Sequence, residues 1–483
     1  MTTQHFCDIQ SRRDFFRNCA GGIGTIALWS LLAQEGRALG SSPFEGGSRG
    51  MLGATHFSPR AKNVIFLFMA GAPSQVDLLD PKPVMQKYHG QPVPAHMLAD
   101  LNDVVIKNSA TVFASPRTFQ KYGESGMDFS DFLPHTGSIA DELCMVRSMH
   151  TDVNEHHSAQ LMMNCGVPMQ GHPCMGSWVS YGLGSECNDL PGFVVLTSSS
   201  GKGIDGGSSL WQNGFLPSEY RGVTFRAGGD PVLFLSNPPG ISAQTQRARL
   251  DAMRDLNALH EADTSDYEIA SRIASYELAF RMQMAAPELL DFANETAETR
   301  ALYGIDDDTT RPYGTNCLLA RRMIERGVRF VQLYHSTWDD HSDLNANLQK
   351  NCAMTDRPTM ALITDLKRRG LLDETLIVWG GEFGRTPMNE TRRGNTPGKE
   401  GRDHHPFAFT MWLAGGGIKS GAIIGETDEL GYHITKDPIH VHDLQATILH
   451  CLGIDHTKLT YRHQGRDFRL TDVAGNVMTN LLA

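Results

Sequence analysis

Six consecutive apolar residues, Val64 to Met69 (VIFLFM), break without transition into AGAPSQVDLLDPKP. A run of this length with no polar alternation, closed by Gly and Pro, is what a strand buried on both faces requires. The same pattern recurs downstream. Residues 143–147, 193–197, 328–334, 375–379, 407–413 and 422–425 read as strands. Helical spacing marks 129–142, the opening at 156–165, 242–327 with Pro287 and Gly304 as punctuation, 346–369 around Pro358, and 442–452. Regular alternation of this kind predicts an α/β fold, a largely parallel central sheet with helices on both faces.

Ahead of the first strand the chain is of a different character. Ser11–Arg17 (SRRDFFR) is a twin-arginine motif followed by a weakly apolar segment from Cys19 to Ala33. Residues 1–40 therefore read as a twin-arginine signal peptide, residues 41–60 as a flexible linker rich in Gly and Ser, and 61–483 as the folded domain. Within that domain, about 200–240 reads as an irregular insertion and about 242–327 as a helical layer. The apolar run of the signal is too short to span a bilayer, and no later stretch reads as transmembrane. The expected destination is the periplasm or cell surface, with no membrane anchor once the signal is removed.

A formal net charge of −11 over 483 residues disfavours nucleic acid as a partner, because a phosphate backbone would be repelled. Beyond the signal, seven cysteines remain without a C-x-x-C pair, which excludes a zinc finger and a haem-attachment motif. They read as buried apolar residues, with one bridge among Cys165, Cys174 and Cys187 left open.

Chemistry concentrates at three places. FVQLYHSTWDDH (330–341) ends an apolar strand in His, Asp and Trp; GGEFGRTP (380–387) directly follows TLIVW; GRDHHPF (401–407) directly precedes FAFTMWL. Polar clusters at strand ends of one sheet converge on one edge. Asp339, Asp340, His341, Asp403, His404 and His405 are the expected ligands of a divalent metal, and imidazole mixed with carboxylate suits zinc, manganese or iron. Glu382 and His156 are candidate bases. Arg385 and Arg402 are candidate anion clamps, or partners of nearby carboxylates.

The twin-arginine start, VIFLFMAGAPSQVDLLDPKP, WDDH, GEFGRTP, GRDHHP and HDLQATILHCLGI together resemble an exported bacterial family catalogued as domain of unknown function 1501, from about Lys62 to Leu470. That family is assigned to the alkaline phosphatase and sulfatase superfamily. The resemblance implies an alkaline phosphatase-like fold, a divalent metal (zinc or manganese), and an anionic small-molecule or polysaccharide ester as substrate. Superfamily members carry a metal-binding Asp after the first strand, a nucleophile at a helix start, an Asp and His after a later strand, an Asp-His pair after the next, and a final His. Asp339 to His341 resemble the first Asp and His region, His404 or His405 the final His, and HHSAQLMMNCG the nucleophile helix. The departures are specific. Ala70 stands at the first Asp, with Asp77 and Asp80 nearby; His156 stands at the nucleophile, with Ser158 two residues on; Glu382 and Phe383 replace the Asp-His pair. No C-x-P-x-R or S-x-P-x-R occurs, so the modified-residue sulfatase mechanism lacks its precursor. Two functions follow: a metal-dependent hydrolase of phosphate or sulfate esters, with Glu382 or His156 as base and Arg385 steadying the anion, or a binding protein that keeps the fold without the chemistry.

Overall fold

A computed structural model describes residues 50–94, 97, 110–198, 203–226, 232, 237, 240–264, 267–390 and 398–483. The predicted signal peptide lies outside these residues, as do residues 41–49 of the predicted linker and parts of the predicted insertion. Among the described residues nine strands form the main sheet: β1 (Asn63–Met69), β2 (Leu143–His150), β3 (Phe193–Thr197), β4 (Val223–Phe225), β5 (Phe330–His335), β6 (Thr375–Gly380), β7 (Phe409–Ala414), β8 (Ala422–Ile424) and β9 (Ile439–His440). Their spatial order is β8-β2-β7-β6-β1-β5-β3-β4, with β9 also paired to β2. Every pairing is parallel except those of β7, which runs antiparallel to both β2 and β6.

The apolar runs explain why this sheet is central. In β1, Ile65, Leu67 and Met69 enter one hydrophobic core while Val64, Phe66 and Phe68 enter the other, so both faces are covered. β5 divides likewise, Val331 and Leu333 against Phe330 and Tyr334. Helices α1 (His156–Cys165) and α2 (Met175–Leu183) are followed by α3 (Ala243–Thr264), α4 (Tyr267–Leu290), α5 (Arg311–Glu325), α6 (Leu344–Arg368) and α7 (Val441–Cys451). Side chains of α4, α5 and α6 fill the first core, and those of α1, α2 and α7 the second.

Three local expectations are corrected. Residues 129–142 are not one helix: Met127–Ser130 pairs with Phe119–Tyr122 as a hairpin, and Pro134–Gly137 makes a single turn bounded by its own Pro and Gly. Pro287 does not end a helix: α4 continues past it to Leu290, and the proline forfeits the one ladder hydrogen bond its own N–H would have made. No disulfide links Cys165, Cys174 and Cys187, which are buried and free like the other described cysteines.

Candidate metal centre

The reversed strand decides where the polar clusters meet. β5 and β6 deliver the segments after them to the carboxyl edge of the sheet. GRDHHPF precedes its strand and would sit at the opposite edge if β7 were parallel; because β7 is antiparallel, its entry lies at the same edge as the ends of β5 and β6. There His404–His405 pairs antiparallel with Gly384–Arg385. β2 also ends at this edge and leads to α1, whose first residue is His156. Glu155 caps that helix by accepting hydrogen bonds from the His157 and Ser158 amides, both at 3.0 Å. Gly71, with φ +106°, lets the loop after β1 press on the loop after β5: a Cβ there would stand 2.5 Å from the Asp339 amide nitrogen.

His156, Asp339, His341 and His404 offer four donor atoms to one point. Asp339 Oδ1 lies 3.1 Å from His156 Nε2, 2.9 Å from His341 Nε2 and 3.5 Å from His404 Nε2, and the last two nitrogens are 3.0 Å apart. Four donors about 2.0 Å from a tetrahedral zinc are separated by roughly 3.3 Å, so these spacings fit such an ion. The far side of each ring is held by an acceptor. His156 Nδ1 donates to Glu382 Oε1 at 2.7 Å, His341 Nδ1 to Glu390 Oε2 at 3.3 Å, and His404 Nδ1 to the Asn154 carbonyl at 2.7 Å. A ring that donates through Nδ1 presents the Nε2 lone pair inward, the tautomer a metal ligand needs.

The charges agree with a cation site. Burial raises the Asp339 pKa, but hydrogen bonds from His156, His341 and His404 and the Arg385 charge outweigh it and hold the carboxyl far below the usual range. Burial lowers the His156 pKa, yet Asp339 and Glu382 carry it up to about 9. His341 is raised against the same burial by Asp339 and Glu390, whereas burial leaves His404 lowered. A proton held this firmly between carboxylates marks a place where a metal ion competes with protons. Solvent reaches the cluster on one side, where the Asp339 side chain is 36% exposed.

A model of the family described as "Protein of unknown function (DUF1501)" matches residues 61–482. The chain belongs to this family. No curated protein matches the sequence. Among solved structures, the DUF1501 chain is similar to the PsFucS1 sulfatase from Pseudoalteromonas sp. at 12% identity and a TM-score of 0.36, covering 95% of this chain and 75% of that one. It is also similar to the lipoteichoic acid synthase LtaP from Listeria monocytogenes at 9% identity and a TM-score of 0.36, covering 88% and 78%. The phosphonate monoester hydrolase SpPMH from Silicibacter pomeroyi is similar at 12% identity and a TM-score of 0.31, covering 66% and 68%. Likenesses this loose do not extend to chemistry.

In this DUF1501 chain, three of the six predicted metal ligands, Asp339, His341 and His404, stand in the cluster, joined by His156 from the predicted catalytic set. Asp403 lies on the outer side of His341, 3.9 Å from Nδ1, in a second group with Glu390. Asp340 and His405 are not brought in. Asp340 is buried beneath the loop, and burial pushes its carboxyl up to about 7. His405 follows His404 in a strand and so faces the other way, onto the Tyr432 carbonyl at 2.9 Å, with burial lowering its pKa to about 4. Glu382 is fully buried and holds His156 from behind, also accepting from the Gly71 amide at 3.0 Å, so it is not open to substrate as a base. Arg385 is likewise buried and committed: it donates to the carbonyls of Gly71, Ala72, Trp338 and Arg402, and to Asp339 Oδ1 at 2.7 Å. Arg402 pairs with Asp77 at 2.7 Å and Asp80 with Lys82 at 3.1 Å, so neither aspartate reaches the centre.

Glu390, Asn154 and Gln160 escaped sequence reading. Gln160 alone carried a signal, standing four residues after His156 and so on the same face of α1.

Proposed function

We propose that this protein is a metal-dependent hydrolase of phosphate or sulfate esters whose single cation is held by His156, Asp339, His341 and His404. The observation that carries the reading is the convergence of three Nε2 atoms and one carboxylate oxygen, each imidazole fixed through Nδ1. Three nitrogens and one oxygen favour zinc over manganese. The ester class rests on the sequence resemblance. When bound, a divalent cation supplies Lewis acidity toward an ester oxygen and acidifies water. The chain's own part is to orient: Glu382, Glu390 and Asn154 set the three rings, and Arg385 offsets the Asp339 charge so that the cluster forms without a burden of unbalanced anions.

A metal-free binding role is favoured by one observation, the Arg385 guanidinium already seated 2.7 Å from Asp339 Oδ1. Elemental analysis of protein purified without chelator separates the two readings. The hydrolase should carry about one zinc per chain, and His341→Ala should lower both metal content and ester cleavage by at least about tenfold. Less than about a tenth of an ion per chain, with no uptake of added zinc or manganese, rejects the hydrolase.

We also read the protein as exported. Arg12 and Arg13 support this, and among the described residues no helix is long and apolar enough to cross a membrane. Replacing both arginines with lysine should strand the protein inside the cell; undiminished export in fractionated cells would refute the assignment.

A further inference from the structure

Gln160 has no part in the cluster, yet it is fully buried and every polar atom of its amide is spoken for. Its Nε2 donates to Glu382 Oε1 at 3.0 Å and to the Gly203 carbonyl at 2.9 Å, while its Oε1 accepts from the Gly206 amide at 3.1 Å. These partners fix which end of the amide is which, since a carboxylate and a carbonyl only accept and an amide N–H only donates. One residue therefore grips two things. On one side is the carboxylate that holds His156 Nδ1; on the other is the turn at residues 203–206.

That turn is bound to α1 a second time. His157 Nδ1 donates to the Asp205 carbonyl at 3.0 Å. Its far side lies against the segment leading to Asp339, where a Cβ at Gly203 would stand 3.7 Å from Ser336 Cβ and from the Thr337 amide nitrogen. The 203–206 turn thus spans from the helix bearing one metal ligand to the loop bearing two others, and the amide of Gln160 is the joint.

Resting on the metal reading above, we infer that Gln160 is a positioning residue that couples the 203–206 turn to the metal centre. Coupling between two sites is reciprocal in free energy, so whatever orders the turn strengthens metal binding and metal binding orders the turn. A substrate or partner that touches the turn acts on the metal centre through Gln160, without touching a ligand.

Two measurements test this on the full-length mature protein, with zinc alone as the probe. In the first, hydrogen exchange of the wild type is followed without and with zinc. The Gly206 amide, bonded to Gln160, and its neighbours should exchange at least about threefold more slowly with zinc bound, an effect expected of coupled local opening. In the second, zinc affinity is measured by chelator competition, and the cobalt(II)-loaded visible spectrum is recorded for the wild type and Gln160→Met. The variant keeps the side-chain length and removes the donors. It should bind zinc about tenfold or more weakly, the scale of lost ligand-orienting partners, and its cobalt spectrum should change. A merely structural role would leave that spectrum unaltered. Zinc binding by the wild type with no change in exchange at 203–206 overturns the coupling alone, as does a folded Gln160→Met with unchanged affinity and spectrum. Failure of the wild type to bind zinc overturns the metal reading and the coupling together.

Discussion

At the scale of single residues, the site is held by pairs that look functional in sequence and prove architectural. Arg402 is fully buried, bonds Asp77 through two nitrogens at 2.7 and 3.2 Å, and stacks 4.4 Å over Phe113. Arg402→Met should cost about 3–5 kcal/mol in urea unfolding, because Asp77 is left in the interior without its counter-charge. Adding Asp77→Asn should recover part of that loss, and a double variant as unstable as the single would disprove the pairing argument. Sequence reading could not assign Arg402 because a buried clamp and an open one share the same letters. It did single out Asp339, His341 and His404, which the structure brings together, because their concentration in short motifs at strand ends is visible without coordinates. Glu390 and Asn154 stayed hidden because a residue that orients a ligand needs only one oxygen in the right place, and no spacing rule encodes that.

At the scale of elements, the strands were legible and their directions were not. VIFLFM, FVQLY and TLIVW show two-sided burial in their composition, whereas the reversal of β7 leaves no trace in FTMWLA. The helical spacing of 129–142 misled because Phe129 and Ser130 serve a hairpin and Pro134 starts a helix only one turn long. Two strand-end histidines give an element-scale prediction. His335 closes β5 and His405 pairs with Gly384 at the same edge of the sheet, and burial lowers each to about 4. The folded-state pKa lies below the unfolded value, so both stay neutral when folded. Their contribution is complete above about pH 6.5 and is lost as pH falls toward 4, roughly 3 kcal/mol for each. Urea stability of the wild type should therefore drop between pH 7 and pH 4.5 more steeply than that of His335→Gln with His405→Gln. Equal drops would show that these rings do not bear the acid sensitivity.

At the scale of the whole molecule, the candidate metal centre and the two cores depend on one another. The four clustered side chains come from α1, from the loop after β5 and from the entry to β7, elements that meet only when the sheet is complete. An ion that binds only this assembled state should stabilise it by about 2.7 kcal/mol at a free concentration one hundred times its dissociation constant. Thermal unfolding in zinc and in chelator checks this, and coincident transitions would deny the linkage. The α/β class was readable from the sequence because it rests on apolar periodicity; the closure of the site was not, because it depends on which edge each chain segment reaches. The wide separation of His156 from His404 along the chain carries a last consequence. If the polypeptide were severed between them, neither fragment would hold the full ligand set, and zinc uptake would return only when the two halves reunite. Bound metal would then report intact molecules, where a circular dichroism spectrum would report only helices and strands.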